Sequence, residues 1–141
     1  HFLSREKALH LYKRKSKIPQ RAGKKKKFPA DRVHGYQFEI DPSARAYTGG
    51  VYDEGRRGWL FDLKNNEAAR KAFKQGEWNQ ARIECRGSSI KTFLNGVPAA
   101  DFTDDMTAEG VSALQVHGIG KKTEAVGKEV MWKNIRIQEL K

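Results

Sequence analysis

Alternating hydrophobic and polar positions mark the stretch from Gly35 to Asp53 as the start of a sheet. Tyr36, Phe38 and Ile40 alternate with polar residues, which is the period-two pattern of a strand with one face in a core and the other exposed. The polar positions are Gln37, Glu39 and Asp41. At roughly 3.3 Å per residue the Cα atoms of the two acids lie about 7 Å apart on one side of the sheet, so that their carboxyl groups could share one small ligand.

Short apolar runs separated by turn residues continue along the rest of the chain. Asn95-Gly96 between two such runs predicts a tight hairpin, because both residues tolerate positive φ. One helix is predicted over 66–74, with Asn65 or Asn66 as its N-cap and Gly76 after its end. The other strand segments are 50–53, 78–86, 90–94, 97–102, 110–117 and 130–140, with a loop or short strand at 59–63. Many short strands and one helix predict an all-β, antiparallel β-sandwich.

The charge of the chain is concentrated at its beginning. Of the net charge of +11, residues 1–34 carry +10, from twelve Lys or Arg and two acids, whereas residues 35–141 carry +1. We therefore predict two parts, a basic arm over 1–34 and a β-sandwich domain over 35–141. Within the arm, residues 3–12 have a thin apolar stripe that predicts about two turns of helix, and 13–29 is typical of a solvated loop or tail.

Several classes of protein have no support in the sequence. No apolar run is long enough to span a membrane, and the start of this chain has neither an initiator Met nor the apolar core of a signal peptide, so we expect a processed chain or a fragment. The one cysteine, Cys85, is expected to be a small buried side chain rather than a reactive thiol. A phosphate loop, a nucleophile elbow and a Cys-x-x-Cys motif are absent from the sequence, and we expect neither a cofactor nor a metal.

Six short motifs occur along the chain in a fixed order. They are Gly35-Tyr-Gln-Phe-Glu-Ile-Asp, Gly49-Gly-Val-Tyr-Asp, Gly76-Glu-Trp-Asn, Phe93-Leu-Asn-Gly, Leu114-Gln-Val-His-Gly and Trp132-Lys-Asn-Ile-Arg-Ile. Together they resemble the 3-keto-disaccharide hydrolase domain over Val33 to Lys141. The resemblance implies a concanavalin A-like (LamG-like) jelly roll with a carbohydrate site on its concave sheet, and a periplasmic or extracellular location. Family members open with an early Gly-Trp stretch and an Asn-Ser-Gly strand, which this chain lacks, so an incomplete sandwich is expected.

The resemblance implies hydrolysis, or elimination followed by hydration, of glycosides whose sugar is a ketone at carbon 3. A ketone acidifies the hydrogen on carbon 2, so a modest base can remove it and the group on carbon 1 can leave. Glu39 is the first candidate for this base, and the charge of Asp41 beside it would raise one of the two pKa values. An ordinary two-carboxylate glycosidase would use a similar pair, and a merely solvated pair has the same sequence pattern.

The remaining candidates are polar or aromatic residues at strand positions. His117 is the third catalytic candidate, as an acid or base, although a structural histidine at a strand end fits the same pattern. Alternation along 110–117 places Gln115 and His117 on one face. Tyr52 could contact a sugar or lie in the core, and Arg82 could contact substrate or balance Glu84. The predicted substrate-binding residues are Gln37, Tyr52, Asp53, Arg82 and Gln115.

Two other functions remain open at this point. A non-catalytic carbohydrate-binding or adhesion module could have the same fold, because fold does not determine function. The basic arm over 1–34 could bind an anionic polymer or surface, with an affinity that falls as salt rises. Specific nucleic-acid binding is less favoured, because aromatic residues that stack on bases are not interleaved with the lysines.

Overall fold

Antiparallel strands account for most of the regular structure. A computed structural model of the chain describes residues 2–4, 9–12, 33–116, 118, 121 and 126–139. In these residues the elements are β1 Phe2–Ser4, β2 Leu9–Tyr12, β3 Gly35–Phe38, β4 Val51–Glu54, β5 Gly58–Phe61, α1 Glu67–Lys71, β6 Trp78–Asn79, β7 Ala81–Arg86, β8 Ser89–Leu94, β9 Val97–Thr103, β10 Val111–Leu114 and β11 Val130–Trp132. The predicted all-β class with one short helix is thus confirmed. The helix is shorter than the predicted 66–74.

The largest sheet has five strands in the order β10-β2-β3-β4-β5, and every neighbouring pair is antiparallel. Two further sheets have three strands each, in the orders β11-β1-β6 and β7-β8-β9. In the five-stranded sheet β3 pairs with β4 so that Gln37 lies opposite Tyr52 and Tyr36 opposite Asp53. Directly opposed residues share one face of a sheet, so this register decides which side chains meet.

The core lies between the five-stranded sheet and the sheet of β7, β8 and β9. Phe38 and Ile40 pack with Leu94 of β8 in one buried cluster. In a second cluster Tyr36 packs with residues of β4, β8 and β9, namely Val51, Ile90 and Ala100. The predicted core face of β3 is therefore confirmed, and the two packed sheets form the sandwich, an arrangement consistent with a jelly roll.

Local signals explain the turn and the helix. Asn95 and Gly96 have φ of 51° and 83° and join β8 to β9, as the hairpin prediction required. Asn66 caps α1, because its side-chain oxygen accepts a hydrogen bond from the backbone N–H of Ala69 over 3.1 Å. Its amide also donates to the carbonyl of Ala99, which ties the helix to β9.

The prediction of a helix over 3–12 is wrong, because Phe2–Ser4 and Leu9–Tyr12 are strands. Strand β2 lies between β3 and β10, and β1 pairs with β11 and β6. Two turns of isolated helix with a thin apolar stripe are marginal in water, whereas the edge of β3 offers backbone groups that a strand can pair. The loop or tail predicted over 13–29 lies outside the described residues.

Cys85 is exposed, so the expectation of a buried side chain is wrong. It lies near the end of β7, an edge strand of its sheet, beyond Ile83, which packs against the core. The strand predicted over 130–140 is also shorter than expected and ends at Trp132. Neither change touches the five-stranded sheet.

Candidate functional site

A row of polar and aromatic residues crosses the five-stranded sheet on the face opposite the core. Gln37 of β3 lies opposite Tyr52 of β4, and Tyr52 lies opposite Trp59 of β5. The next residues along β3 and β4, Phe38 and Val51, point into the core, so alternation places the row on the other side. Tyr52 and Trp59 are partly exposed, which leaves this side open to a ligand.

Glu39 extends this row beyond the end of β3. Its backbone N–H donates to the carbonyl of Gly50, and its carbonyl accepts from the N–H of Gly49, both over 2.9 Å, so the pairing of the two chain segments continues. Its carboxylate accepts a hydrogen bond of 2.5 Å from the amide nitrogen of Gln37, two positions earlier on the same face. We call Gln37, Glu39, Tyr52 and Trp59 the glutamate face.

The environment of Glu39 raises the pKa of its carboxyl group to near neutral pH. Its pKa is raised to about 7. Burial is the largest cause, and the negative charges of Asp41 and Glu54 also contribute. The positive charge of Arg45 and the hydrogen bond from Gln37 act in the opposite direction and are outweighed. A carboxyl group with a pKa near 7 can both accept and donate a proton at neutral pH, which is what general acid–base catalysis requires.

Gln37 is more buried than its position on a polar face suggested. It is 6% exposed, so the prediction of an exposed face is wrong for this residue. Its side-chain nitrogen binds Glu39, while its side-chain oxygen is buried and has no hydrogen-bond partner within the described part of the chain. A buried acceptor without a partner is rare and costs free energy, so this oxygen is suited to a donor that a ligand supplies.

An aromatic group adjoins Glu39 on the same face. The ring of Trp59 meets the rings of Tyr47 and Tyr52 edge to face, with centroids 5.3 Å away in each case. Gly50 makes room for it, because a Cβ atom there would lie only 3.1 Å from Cζ3 of Trp59. Partly exposed aromatic rings beside a polar row provide both the apolar surface and the hydrogen-bonding tips that a sugar ring can use.

Asp41 faces Arg45 and the turn that follows β3, and both of its carboxylate oxygens accept hydrogen bonds. It is 6% exposed, so the expectation of an exposed carboxylate is wrong here too. One oxygen accepts from the side chain and backbone of Ser43, and the other from Nε of Arg45 over 2.6 Å and the N–H of Tyr47. Burial acts to raise the pKa of Asp41, but these hydrogen bonds outweigh it and lower that pKa. Asp41 is therefore an anion held by the turn, and its predicted catalytic role stays a prediction.

Asp53, predicted as a substrate-binding residue, lies on the opposite face from Glu39, and the structure does not bring the two together. Asp53 is fully buried opposite Tyr36. Nε of Arg56 donates to one of its oxygens over 2.6 Å and Nε of Arg57 to the other over 2.5 Å. Arg57 also binds Asp104, which accepts a hydrogen bond from the Tyr36 hydroxyl. These residues, Tyr36, Asp53, Arg56, Arg57 and Asp104, form what we call the arginine cluster.

Arg82 is likewise placed away from Glu39. It belongs to β7 in a different sheet, where its neighbours Ala81 and Ile83 pack against the core. Its guanidinium pairs with Glu84 over 2.8 Å and lies 3.8 Å from the centroid of the Phe93 ring. Arg82 therefore faces outward from the second sheet and pairs with Glu84, the alternative that the sequence left open, while its contact with substrate stays a prediction.

Gln115 and His117 have different outcomes. Gln115 is partly exposed and lies two positions after Ala113 of β10. Ala113 pairs with His10 of β2, and His10 pairs with Gln37 of β3. By register Gln115 therefore belongs to the side of the glutamate face. The predicted catalytic residue His117 lies outside the described residues, and its role stays a prediction.

Three neighbours of Glu39 were not predicted from the sequence. Trp59 follows Gly58 in an apolar run that is typical of a covering loop, and only the pairing of β5 with β4 places it beside Tyr52. Glu54 raises the pKa of Glu39, as its two-residue spacing from Tyr52 could have suggested. Arg45 lies in the turn, and the one available signal was its four-residue spacing from Asp41.

Neither a metal site nor a membrane-spanning helix emerges from the described residues. Across 33–116 and the shorter described segments, no group of three or more His, Cys, Asp or Glu side chains is arranged to hold a metal ion. The same residues contain no helix of the length and apolarity that crossing a bilayer requires.

Comparison with known families shows a match over most of the chain. The model of the 3-keto-alpha-glucoside-1,2-lyase-like domain matches residues 8–138, which include the whole glutamate face. The match confirms the resemblance carried by the six motifs and begins earlier than Val33, so that it takes in β2. A search of curated proteins finds no match.

Proposed function

Because the chain belongs to the 3-keto-alpha-glucoside-1,2-lyase-like domain family, we propose that it cleaves glycosides whose sugar is oxidised to a ketone at carbon 3. The observation that carries this proposal is the Glu39 carboxyl, held on an open sheet face with a pKa raised to about 7 by burial. The base must be unprotonated to accept the carbon-2 hydrogen and must hold that proton afterwards. A group that titrates near neutral pH does both.

The proposed reaction is an elimination that can be followed by hydration. Glu39 takes the proton from carbon 2, and the electron pair of that C–H bond forms an enolate with the carbon-3 oxygen. When the enolate collapses, the bond from carbon 1 to the leaving group breaks, and a double bond forms between carbons 1 and 2. Addition of water then places a hydroxyl on carbon 1 and a proton on carbon 2, and the sum of both steps is hydrolysis.

The other members of the glutamate face have supporting roles in this proposal. The side-chain oxygen of Gln37, which has no hydrogen-bond partner among the described residues, accepts a hydrogen bond from a substrate hydroxyl, and the side-chain nitrogen keeps the Glu39 carboxylate in place. Tyr52 and Trp59 form the apolar floor against which the sugar ring packs. His117, as the acid for the leaving group, remains a prediction, as do a periplasmic or extracellular location and the binding of anionic polymers by residues 1–34.

The test compares two substrates and two variants. We expect the chain to release p-nitrophenol from p-nitrophenyl 3-keto-glucoside but not from the unoxidised glucoside, because only the ketone acidifies carbon 2. Glu39→Gln should lower kcat by about 10²–10⁴-fold, the usual contribution of a general base. Glu84→Gln is the control, because Glu84 is a partly buried carboxylate in the other sheet, paired with Arg82.

Three outcomes would contradict the proposal in different ways. Equal cleavage of both substrates would indicate an ordinary two-carboxylate glycosidase. Binding of the keto-sugar without turnover by the folded wild-type chain would favour the non-catalytic carbohydrate-binding module. Full activity of Glu39→Gln would remove Glu39 from the role of base.

A further inference from the structure

Arg45 lies in the turn after β3, close enough to Glu39 for its charge to lower the pKa of that carboxyl group. Its Nε donates to Asp41 over 2.6 Å, and Asp41 is itself fixed by hydrogen bonds from Ser43 and the N–H of Tyr47. The carbonyl of Arg45 accepts a hydrogen bond from Nε of Arg70 on α1 over 3.2 Å. Both the side chain and the backbone of this residue are therefore anchored.

Two aromatic rings support the guanidinium of Arg45. Its Cζ lies 5.1 Å from the centroid of the Tyr47 ring and 5.2 Å from that of Trp59, distances at which a cation is attracted by the ring face. Even so, 49% of the side chain is exposed, although its partner Asp41 is almost wholly buried. A guanidinium has five N–H donors, and the bond to Asp41 uses one of them, so the exposed part can present donors to a ligand.

This cation is close to the proposed base. The charge of Arg45 lowers the pKa of Glu39 against the effect of burial, so the two groups share one electrostatic environment. The contact between Arg45 and Trp59 places the guanidinium on the same side of the sheet as Tyr52 and Glu39. Arg56 and Arg57, which lie in the turn between β4 and β5, instead bind Asp53 in the arginine cluster on the opposite face.

We propose that Arg45 is a further catalytic residue, which donates hydrogen bonds to the carbon-3 oxygen of the substrate as that oxygen becomes an enolate. This inference rests on the proposed function. In the elimination, negative charge moves from the breaking C–H bond onto the carbon-3 oxygen and returns when the leaving group departs. A fixed cation at that oxygen stabilises the charged intermediate more than the neutral ketone, so it accelerates the reaction rather than merely binding substrate.

The same proposal gives Asp41 a role that its burial allows. Asp41 does not touch the substrate but is a positioning residue, which holds the guanidinium at a set angle and keeps one of its edges occupied. Arginine suits this position better than lysine, because a planar fork can bind Asp41, stack on the rings and still donate outward.

The experiment separates formation of the enolate from departure of the leaving group. In D₂O, wild-type chain should exchange the carbon-2 hydrogen of 3-keto-glucose, a substrate analogue whose leaving group is only hydroxide, and NMR measures this rate. We expect Arg45→Lys and Arg45→Ala to lower both this exchange and kcat on p-nitrophenyl 3-keto-glucoside by about 10²–10³-fold, the usual effect of losing one oxyanion donor. Millimolar guanidinium should restore part of the activity of Arg45→Ala, which a purely structural role would not allow.

Arg82→Lys and Arg82→Ala are matched controls, because Arg82 also pairs with a carboxylate and stacks on a ring, but on the other sheet. Circular dichroism checks that each variant is folded. If Arg45→Lys and Arg45→Ala are folded and both exchange and cleave at the wild-type rate, the inference about Arg45 is overturned while the proposed function stands. If the wild-type chain neither exchanges nor cleaves the keto-sugar, the proposed function fails and this inference fails with it.

Discussion

Glu39 and Asp53 lie on opposite faces of one sheet and show two ways in which a fold can treat a carboxylate. Asp53 is fully buried, and two guanidinium groups neutralise it within 2.6 Å. Burial and the charges of Asp41 and Glu54 raise the pKa of Glu39 to about 7, because the opposing effects of Arg45 and of the hydrogen bond from Gln37 are smaller. Two ion pairs make Asp53 part of the framework, whereas the weaker compensation at Glu39 leaves it a carboxyl group that titrates near neutral pH, as the proposed base requires.

The arginine cluster fixes the hairpin that carries two residues of the glutamate face. Arg57 bridges Asp53 to Asp104, and Arg56 donates to the side chain of Thr107 over 2.8 Å. The cluster thereby ties the β4–β5 hairpin, which carries Tyr52 and Trp59, to the segment that follows β9. A rigid hairpin holds Tyr52 and Trp59 of the glutamate face in place.

The largest effect on stability is expected from Asp53→Asn. The substitution leaves the Arg56 side chain, which is 3% exposed, without its anion, and breaking a buried ion pair on one side usually costs about 3–5 kcal/mol of the free energy of unfolding. Urea unfolding followed by circular dichroism measures this change. Asp101→Asn is the control, because its pair with Lys91 is 65% exposed on the Asp101 side and should contribute below about 1 kcal/mol. Equal losses in the two variants would show that the arginine cluster is not a framework.

The strand pattern of β3 and the Asn95-Gly96 hairpin could be predicted from the sequence because their signals are local. The sequence could not predict in the same way which residues of β4 lie on which face of the sheet. Val51 and Asp53 share one face, and nothing in their own segment shows that Arg56 and Arg57 fold back to make a buried aspartate tolerable. The register of β5 also shifts between Val51 and Tyr52, so the position of Trp59 depends on pairing rather than on its own sequence.

Two adjacent glycines allow each face to be disturbed separately. A Cβ at Gly49, where φ is +99°, would lie 2.8 Å from Cβ of Ala99 on the core side. A Cβ at Gly50 would instead lie 3.0 Å from the carbonyl of Phe61 and 3.1 Å from the ring of Trp59. Gly49→Ala should therefore lower the free energy of unfolding by about 2–4 kcal/mol, from overpacking and backbone strain, and leave KM for the keto-sugar unchanged.

Gly50→Ala should lower the free energy of unfolding less, by about 1–3 kcal/mol, and raise KM, because the displaced ring is part of the proposed sugar floor. Thermal unfolding and steady-state kinetics on the same two variants make the comparison. A KM that rises with Gly49→Ala and stays constant with Gly50→Ala would reverse the assignment of the two faces.

The smallest expected effect is a pH dependence of the free energy of unfolding, which has opposite signs for the carboxyl groups on the two faces. The pKa of Glu39 is about 7 in the folded chain and ordinarily about 4.5 in an unfolded one, so the folded state holds the proton more tightly between these two pH values. Its contribution to stability is thus fully present below about pH 4.5 and is lost as pH rises through about 7. The side chain in Glu39→Gln does not titrate. The free energy of unfolding of this variant should therefore equal that of wild type at about pH 4 and exceed it by about 1–3 kcal/mol at about pH 8.

Asp104 in the arginine cluster titrates the other way. Burial acts to raise its pKa, but hydrogen bonds from Arg57 and Tyr36 outweigh it and lower the pKa to about 2, so its contribution is present above about 3.8 and lost as pH falls through about 2. Asp104→Asn should therefore lose stability relative to wild type at neutral pH and lose progressively less in acid. Thermal unfolding from about pH 2 to 8 measures both variants. If the Glu39→Gln difference stayed constant across that range, the Glu39 carboxyl would titrate alike in folded and unfolded chains, and the electrostatic contrast between the two faces would disappear.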